Sequence, residues 1–267
     1  MSRNLLQGLV GAWCPSLGPS GYTLLDRSGR GNHGTLTNMD AGAWKGSAGG
    51  WALNCDGAND RVTTTYSSPF NFTTATSQFT IAMWAYRNTN ATAAARFALW
   101  KGTGTSAAGG YGFDLGENDA GTDATKGSVI IYSGSGQWTG QNFAITDNVW
   151  FHVAMVVNMA LTSTARVAAY VNGVATGTPF SQNPGSAILG NTNPITIGNA
   201  TTNNLPFSGM LDDICVIGRA ITAGEMWQLY QLGRGGLGRL LTQRAQRRVF
   251  RTAQGNRRRR LICGAEC

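Results

Sequence analysis

Trp150-Phe-His-Val-Ala-Met-Val-Val-Asn158, followed by Arg166-Val-Ala-Ala-Tyr-Val171 and then Asn172-Gly173, decides the fold of this 267-residue chain. Asn-Gly between apolar runs signals a two-residue type I′ turn, because both central residues of that turn need positive φ. Strands must flank it. Residues 153–157 are apolar at consecutive positions, which suits a strand covered on both faces and hence two packed sheets rather than one exposed sheet.

The same strand-and-turn pattern extends through residues 8–218, with no competing helical period. Phe79, Ile81 and Met83 alternate with Thr80, Ala82 and Trp84, and further apolar runs follow at Phe97–Trp100, Tyr111–Leu115 and Ser128–Tyr132. Composition agrees: 42% hydrophobic, only 13% charged and 37 glycines, a turn-rich chain large enough for one sandwich core. One helix is well signalled. Thr222 and Glu225 have capping-box spacing, Ile221 can staple against Met226, and Gly233 stands where the helix would stop.

Charge is divided unevenly along the chain. Residues 1–230 carry 11 Lys+Arg against 12 Asp+Glu, whereas residues 231–267 carry ten Arg against the single Glu266. A neutral body with a basic end reads as a folded module plus an attachment segment. Leu237, Leu241, Ala245 and Val249 recur every four positions, the spacing of a short amphipathic helix. Its arginines Arg244, Arg247, Arg248 and Arg251, with the block Arg257, Arg258, Arg259 and Arg260, form the candidate anchor, against the alternative of a solvated basic end. No stretch approaches the ~18 apolar residues that span a bilayer, and Met1–Trp13 lacks the features of a secretion signal. Neither membrane insertion nor classical secretion is expected. Five cysteines without metal-ligand spacing read as buried thiols, with Cys263 and Cys267 placed to link neighbouring copies or simply exposed.

Several segments together, in order, resemble the laminin-G-like, concanavalin A-like lectin superfamily over about residues 8–232. They are Gly8-Leu-Val-Gly-Ala-Trp13, Leu25-Asp-Arg-Ser-Gly-Arg-Gly-Asn-His-Gly-Thr35, Ala52-Leu-Asn-Cys-Asp-Gly-Ala-Asn-Asp60, Phe79–Ala85, Trp150-Phe-His-Val-Ala154, Ala169-Tyr-Val-Asn-Gly173, Ile195-Thr-Ile-Gly198 and Phe207-Ser-Gly-Met-Leu-Asp-Asp-Ile214. The resemblance implies an all-β, two-sheet antiparallel jelly-roll sandwich with one short C-terminal helix and a basic tail. It divides the chain into a domain at 1–232 and an Arg-rich tail at 233–267. The sandwich is expected to survive truncation at Gly233. If the first, third and last strands pair as in relatives, Cys14, Cys55 and Cys215 lie near one another, so that one disulfide is conceivable beside the default of reduced thiols.

Similar proteins serve mainly as carbohydrate- or protein-binding modules, and a minority are glycosidases. Glycoside hydrolysis needs two carboxyl groups flanking the bond, and catalytic sandwiches place them on one strand as Glu-x-Asp-x-x-Glu. The body has only Glu117 and Glu225 as glutamates, and Glu117-Asn-Asp119-Ala-Gly-Thr-Asp123 lacks both the second Glu and a strand pattern. The chain is therefore expected to be non-catalytic. His152, without a nucleophile nearby in sequence, reads as a satisfied strand histidine. Trp13, Trp84, Trp100 and Trp150 read as core.

A sugar has apolar faces and a polar rim, so its site calls for an exposed aromatic with amides around it. Trp138 with Gln137, Gln141 and Asn142 in a loop is the first candidate and Tyr111 the second. For a structural calcium ion, Asp26, Asn32 and Asp212, with Asp213 and Asp56 in reserve, supply oxygen donors of the right kind; relatives carry calcium at this end of the sandwich. The alternative is that these side chains cap loop amides without an ion.

Three functions follow. One is a structural or recognition module on the surface of a virion or extracellular assembly, a phage decoration or fibre protein, with the tail fixed to an acidic protein surface or to copies of itself. The second is a free lectin-like module that binds glycans. The third is nonspecific nucleic-acid binding through the tail, with steep salt dependence.

Overall fold

The computed structural model describes residues 5–47, 49–65, 70–89, 94–102, 109–117, 121–134, 137–182, 185–188, 190–200 and 205–247. With strands numbered in chain order, one sheet runs β14 (Val174–Thr176), β13 (Val167–Val171), β12 (Trp150–Asn158), β7 (Gln78–Arg87), β17 (Ser208–Ile217), β5 (Gly50–Asp56) and β4 (Trp44–Ser47), with β1 (Leu9–Trp13) also paired to β17. The second runs β15 (Thr178–Gln182), β11 (Gln137–Ala144), β10 (Lys126–Gly134), β9 (Gly110–Asp114), β8 (Phe97–Gly102), β16 (Ile195–Ile197), β6 (Arg61–Thr64), β3 (Gly34–Thr37) and β2 (Thr23–Leu24). The ladders between these strands are antiparallel. This is the expected sandwich.

The Asn172-Gly173 turn joins β13 to β14, and both residues have positive φ, 50° and 78°. Alternation on β7 sends Phe79, Ile81, Met83 and Ala85 inward, where they meet Val153, Met155 and Val157 of β12 and Leu99, Phe113, Val129 and Ile131 of the other sheet. The opposite faces are also covered, which explains the unbroken apolar run at 153–157.

Outside the first sheet, Ala82, Ala154, Tyr170, Cys215 and Ile217 lie under Leu5, Leu6 and two helices. Helix α1 (Ala223–Gln231) has both hydrogen bonds of the expected capping box, Thr222 with Glu225, and Ile221 and Met226 are buried in the same cluster. A second helix, α2, spans 236–247. Leu237 is 1% exposed among Leu5, Leu9 and Cys14, with Leu240 and Leu241 packed beside it. The fold thus has two C-terminal helices rather than one, and residues 233–241 belong to the packed body. The sequence boundary at 232/233 fell short because Leu237 and Leu241 are only four residues apart in an arginine-rich context, and their partners are residues 5–14.

Asp212 and Asp213 stand where β17 changes partner. Residues 208–211 pair with β5 and residues 214–217 with β1, while the register against β7 shifts between Asp212 and Cys215. Asp213 has φ 44° there. Asp212 accepts from the Ser16 backbone N–H at 3.0 Å and pairs with Arg234 at 3.2 Å. Asp213 accepts from the backbone N–H groups of Leu237 and Gly238 at 3.0 and 3.3 Å. The carboxylate therefore caps the first turn of α2, where an anion is favoured.

Cys14, Cys55 and Cys215 are buried free thiols, and burial pushes the Cys215 thiol up to about 12. His152 is buried edge-on to Trp84, 5.5 Å between ring centroids. Its Nδ1 lacks a hydrogen-bond partner among the described residues, so it is not the fully satisfied histidine that its strand position suggested. Burial lowers its pKa to about 3. Of the four expected core tryptophans, Trp13 is in the inter-sheet core, whereas Trp84 and Trp150 are only partly buried. Trp150 carries the Arg234 guanidinium 4.5 Å above its ring.

Candidate functional site

The outer face of the nine-stranded sheet carries an aromatic patch built on glycines. A cross-strand row runs Trp100, Gly112, Ile130, Gly140 and Phe180 through β8, β9, β10, β11 and β15. A Cβ on Gly112 would come within 2.8 Å of Trp100 Cε3, and one on Gly140 within 2.6 Å of Phe180 Cζ. Absence of side chains at these two positions lets both rings lie down on the sheet.

Trp100 packs against Phe97 at 4.7 Å and stands edge-on to Tyr132 at 5.6 Å and 82°; Tyr132 meets Trp138 at 6.0 Å. Tyr132, Trp138 and Phe180 are half-buried, so part of each faces outward. The Trp100 indole N–H is buried and has no acceptor among the described residues.

A polar row borders the patch on the same face: Asp114, Ser128, Asn142 and Thr178 are successive cross-strand partners. Asp114 is 7% exposed and accepts from the backbone N–H groups of Arg96 and Gly116, both at 2.9 Å. Its pKa is nonetheless raised to about 7, chiefly by burial and further by the Glu117 charge, against the lowering by those two amides and Arg96. Burial also raises Glu117. The face thus combines aromatic rings with hydroxyl, amide and carboxyl groups, the mixture that recognises a sugar ring and its hydroxyls.

The sequence candidates divide. Trp138 and Asn142 do lie on this face, but on strand β11 rather than in a loop, because β11 pairs with β10 from Gln137 to Ala144. Gln141 is turned away and accepts from the Ala169 backbone N–H at 2.9 Å. The Gln137 carbonyl accepts from the Ser133 hydroxyl. Tyr111 is a correction: it is 2% exposed, packs tilted against Phe79 with ring centroids 4.7 Å apart and donates its hydroxyl to Phe70 O at 2.9 Å, so it is core and offers no platform. Trp100, read from the sequence as core, is indeed buried but on this outer face rather than between the sheets, and Tyr132 and Phe180 were not singled out from the sequence. Their signal was Gly110 and Gly112, alternate residues of β9 that pair with Tyr132 and Trp100.

The calcium candidates are not brought together. Asp26 accepts from the backbone N–H groups of Ala12, Ser28 and Asn32 and from the Ser28 hydroxyl, all at 2.8–2.9 Å. Asn32 donates its amide to Val10 O, Asp56 caps the Ala58 N–H, and Asp212 and Asp213 are engaged with Arg234 and α2. Among the described residues no three His, Cys, Asp or Glu side chains gather as metal ligands. Of the anchor arginines, Arg244 and Arg247 lie on the exposed side of α2; Arg248, Arg251, Arg257, Arg258, Arg259 and Arg260 lie outside the described residues, as do Cys263 and Cys267.

Residues 56–226 match the family model of the concanavalin A-like lectin/glucanases superfamily. The chain belongs to that superfamily. Among solved structures of this fold it is similar to the binding domain of Paraclostridial Mosquitocidal Protein 1, with TM-score 0.61 and 16% identity over 85% of this chain and 52% of that one. It is likewise similar to the binding domain of botulinum neurotoxin serotype G, with TM-score 0.61 and 15% identity over 84% and 51%. The chain thus spans about half the length of these toxin binding domains. Domain 4 of AbnA, an extracellular arabinanase from Geobacillus stearothermophilus solved in complex with arabinotriose, gives TM-score 0.61 and 18% identity over 83% of this chain and 98% of that domain. No curated protein sequence matches.

Proposed function

We propose that this member of the concanavalin A-like superfamily is a non-catalytic glycan-binding module whose platform is the outer face of the nine-stranded sheet. The observation that carries the reading is the cluster Trp100, Tyr132, Trp138 and Phe180 set on glycines beside Asp114, Ser128 and Asn142. Support comes from the arabinotriose held by the AbnA domain of the same fold. Glu-x-Asp-x-x-Glu, the carboxylate spacing of catalytic sandwiches, is missing from the sequence, which favours binding without hydrolysis.

The test is a glycan array with the full-length chain, followed by calorimetry on the best ligand and on Trp138→Ala. Stacking one sugar on one exposed ring supports a loss of about tenfold in affinity, near 1.4 kcal/mol. Absence of any glycan bound, or a ligand held equally by Trp138→Ala and Tyr132→Ala, would remove this reading.

A second reading is favoured by the confinement of ten arginines to residues 231–267. In it the sandwich is displayed on a larger assembly, such as a virion, and attached through its basic end to an acidic protein surface. Co-sedimentation with purified particles tests it, and failure to sediment at low and moderate salt would count against it. Nucleic-acid binding through the same end remains the outcome in which DNA competes and affinity falls steeply with salt.

A further inference from the structure

We infer that the folded body has a second binding site, a cleft for an acidic, aliphatic peptide segment of a partner protein, formed by Arg27, Arg30 and Arg244 over a leucine floor. The cleft has a volume of about 630 Å³ and lies between the N-terminal segment, the loop 27–30 and α2. Leu6, Leu9, Leu241 and Ala245 line its apolar part. Three arginines line it from two separate elements, and no Asp or Glu is among its lining residues.

These arginines differ from the paired ones of the body. Arg87, Arg219 and Arg234 are paired with Asp147, Glu225 and Asp212, whereas Arg27, Arg30 and Arg244 have no ion-pair partner among the described residues and are exposed. The carboxylate nearest in sequence, Asp26, is 6% exposed and saturated by three donors of its own loop and the Ala12 N–H of β1. Those bonds hold the loop, so Arg27 and Arg30 project from a fixed turn rather than a mobile one. Among the described residues the positive charge of the cleft is thus uncompensated, and its complement is an anion supplied from outside.

The floor decides which anion. Leu6 and Leu9 are each only 8% exposed, so the floor offers little apolar area, which suits a short aliphatic side chain better than an acyl chain. The floor has no aromatic ring, which disfavours a sugar. Arginines spread along two walls match carboxylates spaced along a peptide, each in a bidentate pair. The site is independent of the glycan reading, which uses the other sheet.

The test titrates the full-length chain with the peptide EELEE and its uncharged counterpart QQLQQ at 150 mM salt, and separately with phosphatidylserine vesicles. EELEE is expected to bind and QQLQQ not to. Arg30→Glu and Arg27→Glu should each weaken EELEE by about tenfold or more, while Lys45→Glu, the same charge change on β4, leaves it within about twofold. Trp138→Ala should leave it unchanged. Equal weakening by Arg30→Glu and Lys45→Glu, or full binding in the Arg27→Glu/Arg30→Glu double variant, would overturn the site in favour of general attraction to the basic tail. Binding to vesicles but not to EELEE would overturn it in favour of a lipid surface.

Discussion

Trp100 and Gly112 are cross-strand partners on β8 and β9, and the indole occupies the space that a Cβ at position 112 would need. The glycine is thus part of the aromatic patch although it contributes no side-chain atom. Gly112→Ala would press on the ring at 2.8 Å and on the Leu99 carbonyl as well. Overpacking of this kind costs about 1–3 kcal/mol. Urea denaturation should show that loss, together with altered tryptophan fluorescence; an unchanged midpoint would mean that the ring is not seated on the glycine.

Asp114 and His152 give pH dependences of opposite sign. Asp114 has its folded pKa raised to about 7 by burial, so its contribution to stability is fully present below the unfolded value near 3.9 and is lost as pH rises through 7. His152 has its pKa lowered to about 3 by burial, so its contribution is present above 6.5 and is lost as pH falls toward 3. Relative to wild type, Asp114→Asn should therefore gain stability as pH rises from 5 to 8. His152→Phe should gain as pH falls from 7 to 4. Melting curves at three pH values check both, and parallel curves for variant and wild type would refute the corresponding burial.

Arg87 ties the two sheets. Its guanidinium is 2% exposed, pairs with Asp147 at 2.5 Å and donates to the carbonyls of Leu115 and Lys126. Arg87→Met keeps the stem but leaves two carbonyls and a carboxylate without their donor. Unpaired buried groups of this kind cost about 1–3 kcal/mol each, with the part-exposed Asp147 at the low end. A drop of several kcal/mol in unfolding free energy is expected by urea titration, and a change below about 1 kcal/mol would show that water replaces the arginine.

Legibility in the sequence followed the range of the interaction. The Asn172-Gly173 turn and the Thr222/Glu225 capping box are local and were read directly, and so was the two-sheet sandwich, because residues 153–157 are apolar on both faces. Which aromatic faces which way was not legible. Tyr111 and Trp100 both sit beside glycines in buried strands, and only the register of β8 against β9 sends one inward and the other outward. Asp26 and Asp212 both looked like oxygen donors for an ion. Their actual partners, three loop donors and the Ala12 N–H of β1 in one case and an arginine 22 residues away in the other, depend on a loop and on a helix docking that spacing alone does not encode.

The truncation expected to be harmless at Gly233 is the sharpest case. A chain ending there loses Arg234, so Asp212, with no exposed surface, keeps a buried charge without its cation. It also loses Leu237 and the two N–H groups bound to Asp213, and uncovers Leu5, Leu6 and Cys14. Breaking a buried ion pair from one side costs about 3–5 kcal/mol, before the apolar surface is counted. The effect should be largest at pH 8, where Asp212, with its pKa raised to about 7 by burial and by Asp213, is ionised, and smaller at pH 5, where it is protonated. A chain ending at Arg247 should recover most of the melting temperature lost by the shorter one, since it retains Arg234, Leu237 and the donors to Asp213. If the chain ending at Gly233 melts within 2 °C of the full chain at pH 8, the helix at 236–247 is not part of the cooperative unit.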